Sequence, residues 1–367
     1  MLYTSVMIKP SSSNCNLDCK YCFYKVLSSN REEYDMGFMN ESKLEETLRN
    51  AINSTEKQLI VSFQGGEPTL IGLKYYEKVI EIENRLNTKK IWIQNSIQTN
   101  GILINDKWAQ FFHDHHFLVG ISLDGPQEIH DRYRHDLRNS GTFDRVMKSI
   151  ECLRKHDVEF NILTVITNES YRHAKKIYNY FKENDFQFIQ IIPCIDDDCH
   201  EYSITGKQYG QFLCEIFELW YKDFINGTAV DIRIFSNYLQ MLMGYYPEQC
   251  GLLGRCFCGL IIEGNGDVYP CDFYCTDKWK LGDVTTSFEQ LMASDQARRF
   301  VESSLTVDLE CKECKYYQIC RGGCRRYRDQ KESLVKNKLC DGYKMFFDQC
   351  LDRLIILSKN IRRNMGK

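Results

Sequence analysis

Cys15-Asn16-Leu17-Asp18-Cys19-Lys20-Tyr21-Cys22 sets three thiols within eight residues, directly after a stretch, residues 1–9, that reads as a short strand. Four thiolates complete a zinc site or hold an electron-transfer iron–sulfur cluster. Three thiolates hold three irons of a cubane and leave the fourth iron open, which chemistry on a cluster requires. Three structural thiols, or a zinc site with a distant fourth ligand, are the other readings of the triad alone.

The CxxxCxxC spacing, with aromatic Tyr21 before the last Cys, resembles the signature of the radical S-adenosylmethionine superfamily. The resemblance implies a 4Fe–4S cluster on Cys15, Cys19 and Cys22 whose open iron chelates S-adenosylmethionine. It further implies reductive cleavage of that cofactor to a 5′-deoxyadenosyl radical, with the protein supplying position and exclusion of water.

Composition narrows the compartment and the partners. Hydrophobic residues at 43% allow a full core, and no apolar run approaches a membrane span. A net charge of −3 argues against general nucleic-acid binding. Eighteen Cys in 367 residues, without a basic and then apolar N-terminal leader, read as metal ligands in a reducing compartment rather than secreted disulfides. A cytoplasmic, anaerobic setting without membrane or nucleic-acid partners is therefore expected.

The first two-thirds of the chain alternates strand-like and helix-like stretches. Residues 59–63, 91–97, 117–123, 160–166 and 186–192 are short and rich in β-branched or aromatic side chains. Amphipathic stretches lie at 40–52, 73–86, 106–113, 142–156 and 172–183, the first with Asn40 as a candidate cap. With the opening strand this makes six βα units of an α/β fold. Six fall short of a closed eight-stranded barrel, and a partial (β/α)6 TIM-like barrel, as radical S-adenosylmethionine enzymes possess, fits. Functional residues are then expected just after strand C-termini.

Gln64-Gly65-Gly66-Glu67-Pro68 meets that expectation, since paired glycines let backbone approach a ligand; read alone, it is also an ordinary turn. By the resemblance, Gly66 and Glu67 belong to the motif that cradles the cofactor's methionyl amine. The same resemblance assigns Tyr21, Ser122, Arg134 and Ile195 to cofactor contacts. Gln98-Thr99-Asn100-Gly101 ends the third strand and lines the same cavity or forms a plain turn.

Residues 203–242 read as mainly helical, with an interruption near 226–231. From Cys250 to Cys340 ten Cys fall within about ninety residues, and strong hydrophobic periodicity is lost. Such a segment is expected to be held by metal rather than by packing. Zinc ribbons are one reading of its CxxC pairs. The order Cys256-x9-Gly266-x4-Cys271, then Cys311-x2-Cys314-x5-Cys320-x3-Cys324 and Cys340, resembles the SPASM auxiliary-cluster domain. That implies two further 4Fe–4S clusters, one on Cys250, Cys256, Cys271 and Cys324, the other on Cys311, Cys314, Cys320 and Cys340. Arg321, Arg325, Arg326 and Arg328 read as a solvated basic face, or as cations easing cluster reduction. Cys152, Cys194, Cys199, Cys214, Cys258, Cys275 and Cys350 have no assigned role. The expected division is a barrel over 1–235, a SPASM domain over 236–345 and a C-terminal helix over 346–367.

Pro270-Cys271-Asp272-Phe273-Tyr274, with KPSSSNCNLDCKYCFY, FQGGEPTL, QTNG, SLDGP and CRGGCRR, resembles the anaerobic sulfatase-maturating enzymes along nearly the whole chain. The resemblance implies Asp272 as general base and oxidation of a Cys or Ser in an unfolded or nascent sulfatase to Cα-formylglycine. Tyr24 and Gln64 are candidate substrate contacts. An external donor such as flavodoxin or ferredoxin and a monomeric state complete the expectation. A SPASM enzyme forming thioethers or crosslinks in a ribosomal peptide is the competing function. A non-enzymatic iron–sulfur electron carrier is a remoter one, needing neither the open cluster nor the Gly-Gly-Glu motif.

Overall fold

Alternating burial along short extended segments and apolar stripes along the intervening helices build an α/β architecture. The computed structural model describes residues 1–195, 201–330, 333–334 and 336–365. Cys199 lies outside the described residues. The chain divides into two compact units. The first comprises 1–123, 130–161 and 258–300, and the second 124–129, 162–257 and 301–367.

In the first unit, β1 (Tyr3–Ile8), β2 (Gln58–Phe63), β3 (Trp92–Thr99) and β4 (Leu118–Ser122) run parallel in that order. Every second residue of β2 is buried, as a pleat with one core face requires. The crossovers carry α1 (Phe23–Ser29), α2 (Glu41–Ser54), α3 (Leu73–Leu86) and α4 (Asp106–Asp114). Then α5 (Gln127–Tyr133) and α6 (Phe143–Lys155) follow β4. Asn40 caps α2 as expected, its side chain accepting from Lys43 N, and Asn105 caps α4 the same way. The helix after Cys22 has no counterpart in the sequence reading, and β3 continues two residues beyond the expected 91–97, taking in Gln98 and Thr99.

The Cys-rich segment contributes structure of its own to this unit. β8 (Leu260–Ile262) pairs parallel to β1, with Val6 opposite Leu260 and Ile8 opposite Ile262. β9 (Asp267–Tyr269) and β10 (Gly282–Asp283) extend it antiparallel. Tyr269 and Cys275 are fully buried with Leu27, Met36 and Ile261, so this stretch does pack a core.

The second unit contains β5 (Phe160–Ile166) from Ile162 onward, β6 (Phe188–Pro193) and β7 (Asp231–Ile232), paired parallel in sequence order. Its helices include α7 (Ala174–Glu183), α8 (Gly206–Ile225) and α9 (Arg233–Leu242). The expected helix over 172–183 instead begins as a 3₁₀ turn, Ser170–His173. The C-terminal helix, Cys340–Met365, starts before residue 346 and so carries Cys340. It lies directly on α8: a Cβ at Gly342 would sit 2.1 Å from the Gly206 carbonyl oxygen. Farther along the pair, Arg353 Nη1 meets Glu218 Oε2 at 2.9 Å, while Phe346 of the C-terminal helix stacks on Phe235 of α9 at 5.7 Å. Among the described residues no helix is long and apolar enough to cross a membrane.

Candidate active site and cluster-binding cysteines

The C-terminal ends of β1 to β4 and β8 carry the site of the first unit. Cys15, Cys19 and Cys22 follow β1 on a loop pinned by backbone bonds, Asp18 N to His135 O at 2.8 Å and Lys20 N to Tyr133 O at 3.0 Å. Burial, then Glu67, Cys19 and Cys22, push the Cys15 thiol up to about 12, against a bond from Leu17 N–H. Three thiols crowded on one small loop, where burial and neighbouring negative charge oppose ionisation of Cys15, are a donor set that a bound metal cluster would draw into the thiolate form. Arg134, buried after α5, has Nη1 4.0 Å from Cys19 Sγ and its guanidinium 5.4 Å from the Tyr21 ring centroid.

The Gly-Gly-Glu turn after β2 lies on the same loop. Glu67 N donates to Asn14 O at 2.7 Å, and Gly66 has φ +34°. A Cβ on Gly66 would lie 2.1 Å from Asn14 O, a backbone atom that cannot swing away. Gly66→Ala is therefore expected to cost about 1–3 kcal/mol by overpacking and backbone strain, read as a lower denaturation midpoint. Glu67 is buried; its Oε1 accepts from Thr69 N, Thr69 Oγ1 and Thr99 Oγ1, and its Oε2 from Asn100 N at 2.7 Å. Burial raises its pKa despite these bonds. Asn100 Nδ2 reaches Asn16 Oδ1 at 2.8 Å, and Gln98 Nε2 donates to Ser122 Oγ at 3.2 Å. The QTNG stretch thus ties the end of β3 to the cysteine loop and to β4.

Asp272 heads a 3₁₀ turn, Asp272–Tyr274, immediately after Cys271. Tyr24 Oη donates to Asp272 Oδ2 at 2.6 Å, Gln64 Nε2 lies 3.3 Å from the same oxygen, and Gln64 Nε2 also donates to Tyr24 Oη at 2.9 Å. Asp272 and the two candidate substrate contacts thus form one partly buried contact set. Burial, and then the Asp272 carboxylate, raise the Tyr24 pKa well above its ordinary value, so the phenol keeps its proton and donates. Sequence reasoning missed Lys9, Glu263 and Arg31, which stand behind this set. Lys9 and Glu263 directly follow β1 and β8, the strand-end positions where site residues are sought.

In the second unit two further thiol groups assemble. Cys250, Cys256 and Cys324 raise one another's pKa after burial has done so, Cys324 to about 11. Cys311, Cys314, Cys320 and Cys340 line a single hollow with Tyr316 and Phe347. Burial and the neighbouring Cys340, Cys311 and Cys314 lift Cys320 to about 11. Ile195, two residues past β6, is buried, and its carbonyl accepts from Arg326 Nη2 at 3.2 Å. Two of the four arginines do not belong to a solvated face: Arg325 and Arg328 are buried, while Arg321 and Arg326 are half-buried. Arg325 donates to Ser303 Oγ at 2.7 Å and Arg328 to Ser304 O at 2.8 Å. Of the unassigned cysteines, Cys194, Cys258, Cys275 and Cys350 are buried, as small apolar side chains are.

Residues 10–181 match the Radical SAM superfamily, and residues 254–324 match an iron–sulfur cluster-binding domain, SPASM. Over 365 residues, covering 97% of this chain and 98% of the relative, the sequence is 43% identical to a cysteine-type anaerobic sulfatase-maturating enzyme of Clostridium novyi. The chain belongs to the anaerobic sulfatase-maturating enzymes. A serine-type sulfatase-maturating enzyme of Bacteroides thetaiotaomicron is 32% identical over 97% of this chain and 91% of its own. A solved structure, native anSMEcpe with bound AdoMet and Cp18Cys peptide, superimposes with a TM-score of 0.94 at 42% identity. The overlap covers 98% of this chain and 99% of that one. SuiB of Streptococcus suis, bound to its precursor peptide, shares the fold at a TM-score of 0.64 and 17% identity. A sulfatase-maturating enzyme with the two matched domains uses S-adenosylmethionine and 4Fe–4S clusters, and three thiol-rich loci suit three clusters.

Proposed function

We propose that this chain oxidises a cysteine in the Cys-x-Pro-Ser-Arg-type motif of an unfolded or nascent sulfatase to Cα-formylglycine. The observation that carries it is the convergence of Asp272, Tyr24 and Gln64 in the unit that also holds the open-cluster cysteines. The cysteine target is favoured over serine by identity of 43% to a cysteine-type relative against 32% to a serine-type one.

Cys15, Cys19 and Cys22 would hold the open cluster, with Tyr21, Gly66, Glu67, Ser122, Arg134 and Ile195 around S-adenosylmethionine. Glu67 Oε2, bonded so far by one backbone N–H, has a lone pair for the cofactor's ammonium. Cys250, Cys256, Cys271 and Cys324 would hold one auxiliary cluster, and Cys311, Cys314, Cys320 and Cys340 the other. When bound, these groups supply a carbon radical that takes a hydrogen atom from the target Cβ and closed clusters that accept the remaining electron. Asp272 takes the thiol proton, while Tyr24 and Gln64 orient the carboxylate and the incoming side chain. The side chain thereby loses one hydrogen atom, one proton and one electron to become a thioaldehyde. Water then replaces sulfur, giving the aldehyde and hydrogen sulfide.

The remaining elements of the reading are an external flavodoxin- or ferredoxin-like reductant, a monomeric state and a cytoplasmic setting, with a barrel to residue 235 and a SPASM domain after it that runs into the terminal helix. The test is an anaerobic assay of the reconstituted holoenzyme with peptides carrying Cys or Ser at the target position. A hydrazide-reactive aldehyde from the Cys peptide, with one deoxyadenosine per turnover, is the expected result. Deoxyadenosine with no change in either peptide would overturn the substrate.

A further inference from the structure

Four charged side chains interlock behind the Tyr24–Gln64–Asp272 contact. Lys9 Nζ lies 2.8 Å from Glu263 Oε1 and 3.5 Å from Asp272 Oδ1, and Arg31 Nη1 lies 2.7 Å from the same Glu263 oxygen. The Lys9, Glu263 and Arg31 side chains are at most 2% exposed and that of Asp272 10%. Two cations and two carboxylates balance, and removal of one leaves a buried charge uncompensated. Burial works against the Lys9 charge, yet Cys275, Glu263 and Asp272 outweigh it and raise the Lys9 pKa. Burial likewise opposes the Glu263 charge, and Lys9 and Arg31 outweigh it and lower the Glu263 pKa.

The backbone explains why a lysine can serve here. Lys9 N donates to Ile262 O at 2.8 Å, so the residues that end β1 and β8 are clipped together. The Lys9 stem runs beneath the Gly-Gly turn: a Cβ at Gly65 would fall 2.5 Å from Lys9 Cε. Its ammonium also sits 4.7 Å from the Tyr24 ring centroid, a cation–π distance. Lys9 therefore touches the Gly-Gly turn, Tyr24 and Asp272 together. Asp272 Oδ1 makes no hydrogen bond among the described residues, and the Lys9 ammonium is the charge beside it.

We propose that Lys9, braced by Glu263 and Arg31, is a positioning residue that holds the Asp272 carboxylate in the orientation in which Oδ2 meets Tyr24 and Gln64. Its stem cannot drift, because Gly65 closes over it, and its head cannot rotate freely, because Glu263 is fixed by a second cation. The Arg31–Glu263–Lys9 chain carries that constraint from the segments that follow α1 and β8 to the base. This rests on the reading of Asp272 as the base.

The test compares the parent, Lys9→Met, Glu263→Gln and Asp272→Asn as reconstituted holoenzymes with the Cys peptide. Iron content, peptide affinity, deoxyadenosine, aldehyde and a crystal structure are measured for each. Lys9→Met and Glu263→Gln are expected to keep iron and bind peptide within about twofold, yet yield about 10–100-fold less aldehyde per deoxyadenosine. In the Lys9→Met crystal, Asp272 Oδ2 is expected beyond hydrogen-bond distance of Tyr24. Parental aldehyde per deoxyadenosine in both variants would overturn the proposal, as would loss of iron and peptide affinity together in both, which marks a merely structural role. Should Lys9→Met alone fail to load iron, Glu263→Gln decides by the same ratio. An active Asp272→Asn would remove the base reading itself, whereas an inactive one beside unaffected Lys9 and Glu263 variants removes only the Lys9 role.

Discussion

Asp272→Asn is expected to cut aldehyde formation by about 10²–10⁴-fold, the usual contribution of a positioned base, with iron content unchanged. Asparagine has the volume of aspartate and its carbonyl still accepts from Tyr24 Oη and Gln64 Nε2, so the turn Asp272–Tyr274 keeps its place. What it lacks is a lone pair able to hold the target's proton. The four-charge group also changes from balanced to singly positive, which places more cation beside a step that must release a proton. In the proposed reaction hydrogen transfer to the cofactor comes before proton loss, so deoxyadenosine is expected to form while aldehyde does not. A Cβ-deuterated peptide reads the difference: label appears in deoxyadenosine without hydrazide-reactive product. Aldehyde at the parental rate would show that another group takes the proton.

Cys19→Ala is expected to remove deoxyadenosine formation altogether. With two thiols left on the loop, the open cluster loses a ligand, and iron should fall from about twelve to about eight atoms per chain. The loop itself should persist, since the backbone bonds of Asp18 and Lys20 to the 133–135 segment do not involve the thiol. Absorbance and circular dichroism would then report auxiliary clusters on a folded chain. Retained cofactor cleavage would transfer the open-cluster assignment elsewhere.

Much of the site was legible because its chemistry is local. A cubane with one open iron takes three thiols, and the trio proposed to hold it, Cys15, Cys19 and Cys22, lies within eight residues. The six βα units were equally legible, since burial alternates along strands such as β2 and the caps of α2 stand beside the residues they cap. The Gly-Gly-Glu turn could be placed at a strand end, but the role of Gly66 as a residue pressed on the Asn14 carbonyl could not. The arginines around Cys324 show the same limit: their sequence reads as a basic face, and the fold buries Arg325 on the Ser303 hydroxyl and Arg328 on the Ser304 carbonyl.

By itself, then, the sequence determined the α/β order, the three groups of thiols and Asp272, Tyr24 and Gln64 as separate candidates. Tertiary structure alone decided that these three meet, across 248 residues between Tyr24 and Asp272, and that Lys9 stands behind them. The deciding event is the pairing of β8 with β1, which sets Glu263 beside Lys9 and carries the Cys271–Asp272 turn onto the strand ends. Periodicity announces a short strand of three buried apolar residues poorly and names no partner for it. Its register is read only from its pairing with β1, and the buried cluster of opposite charges at its end exists only once the chain has folded.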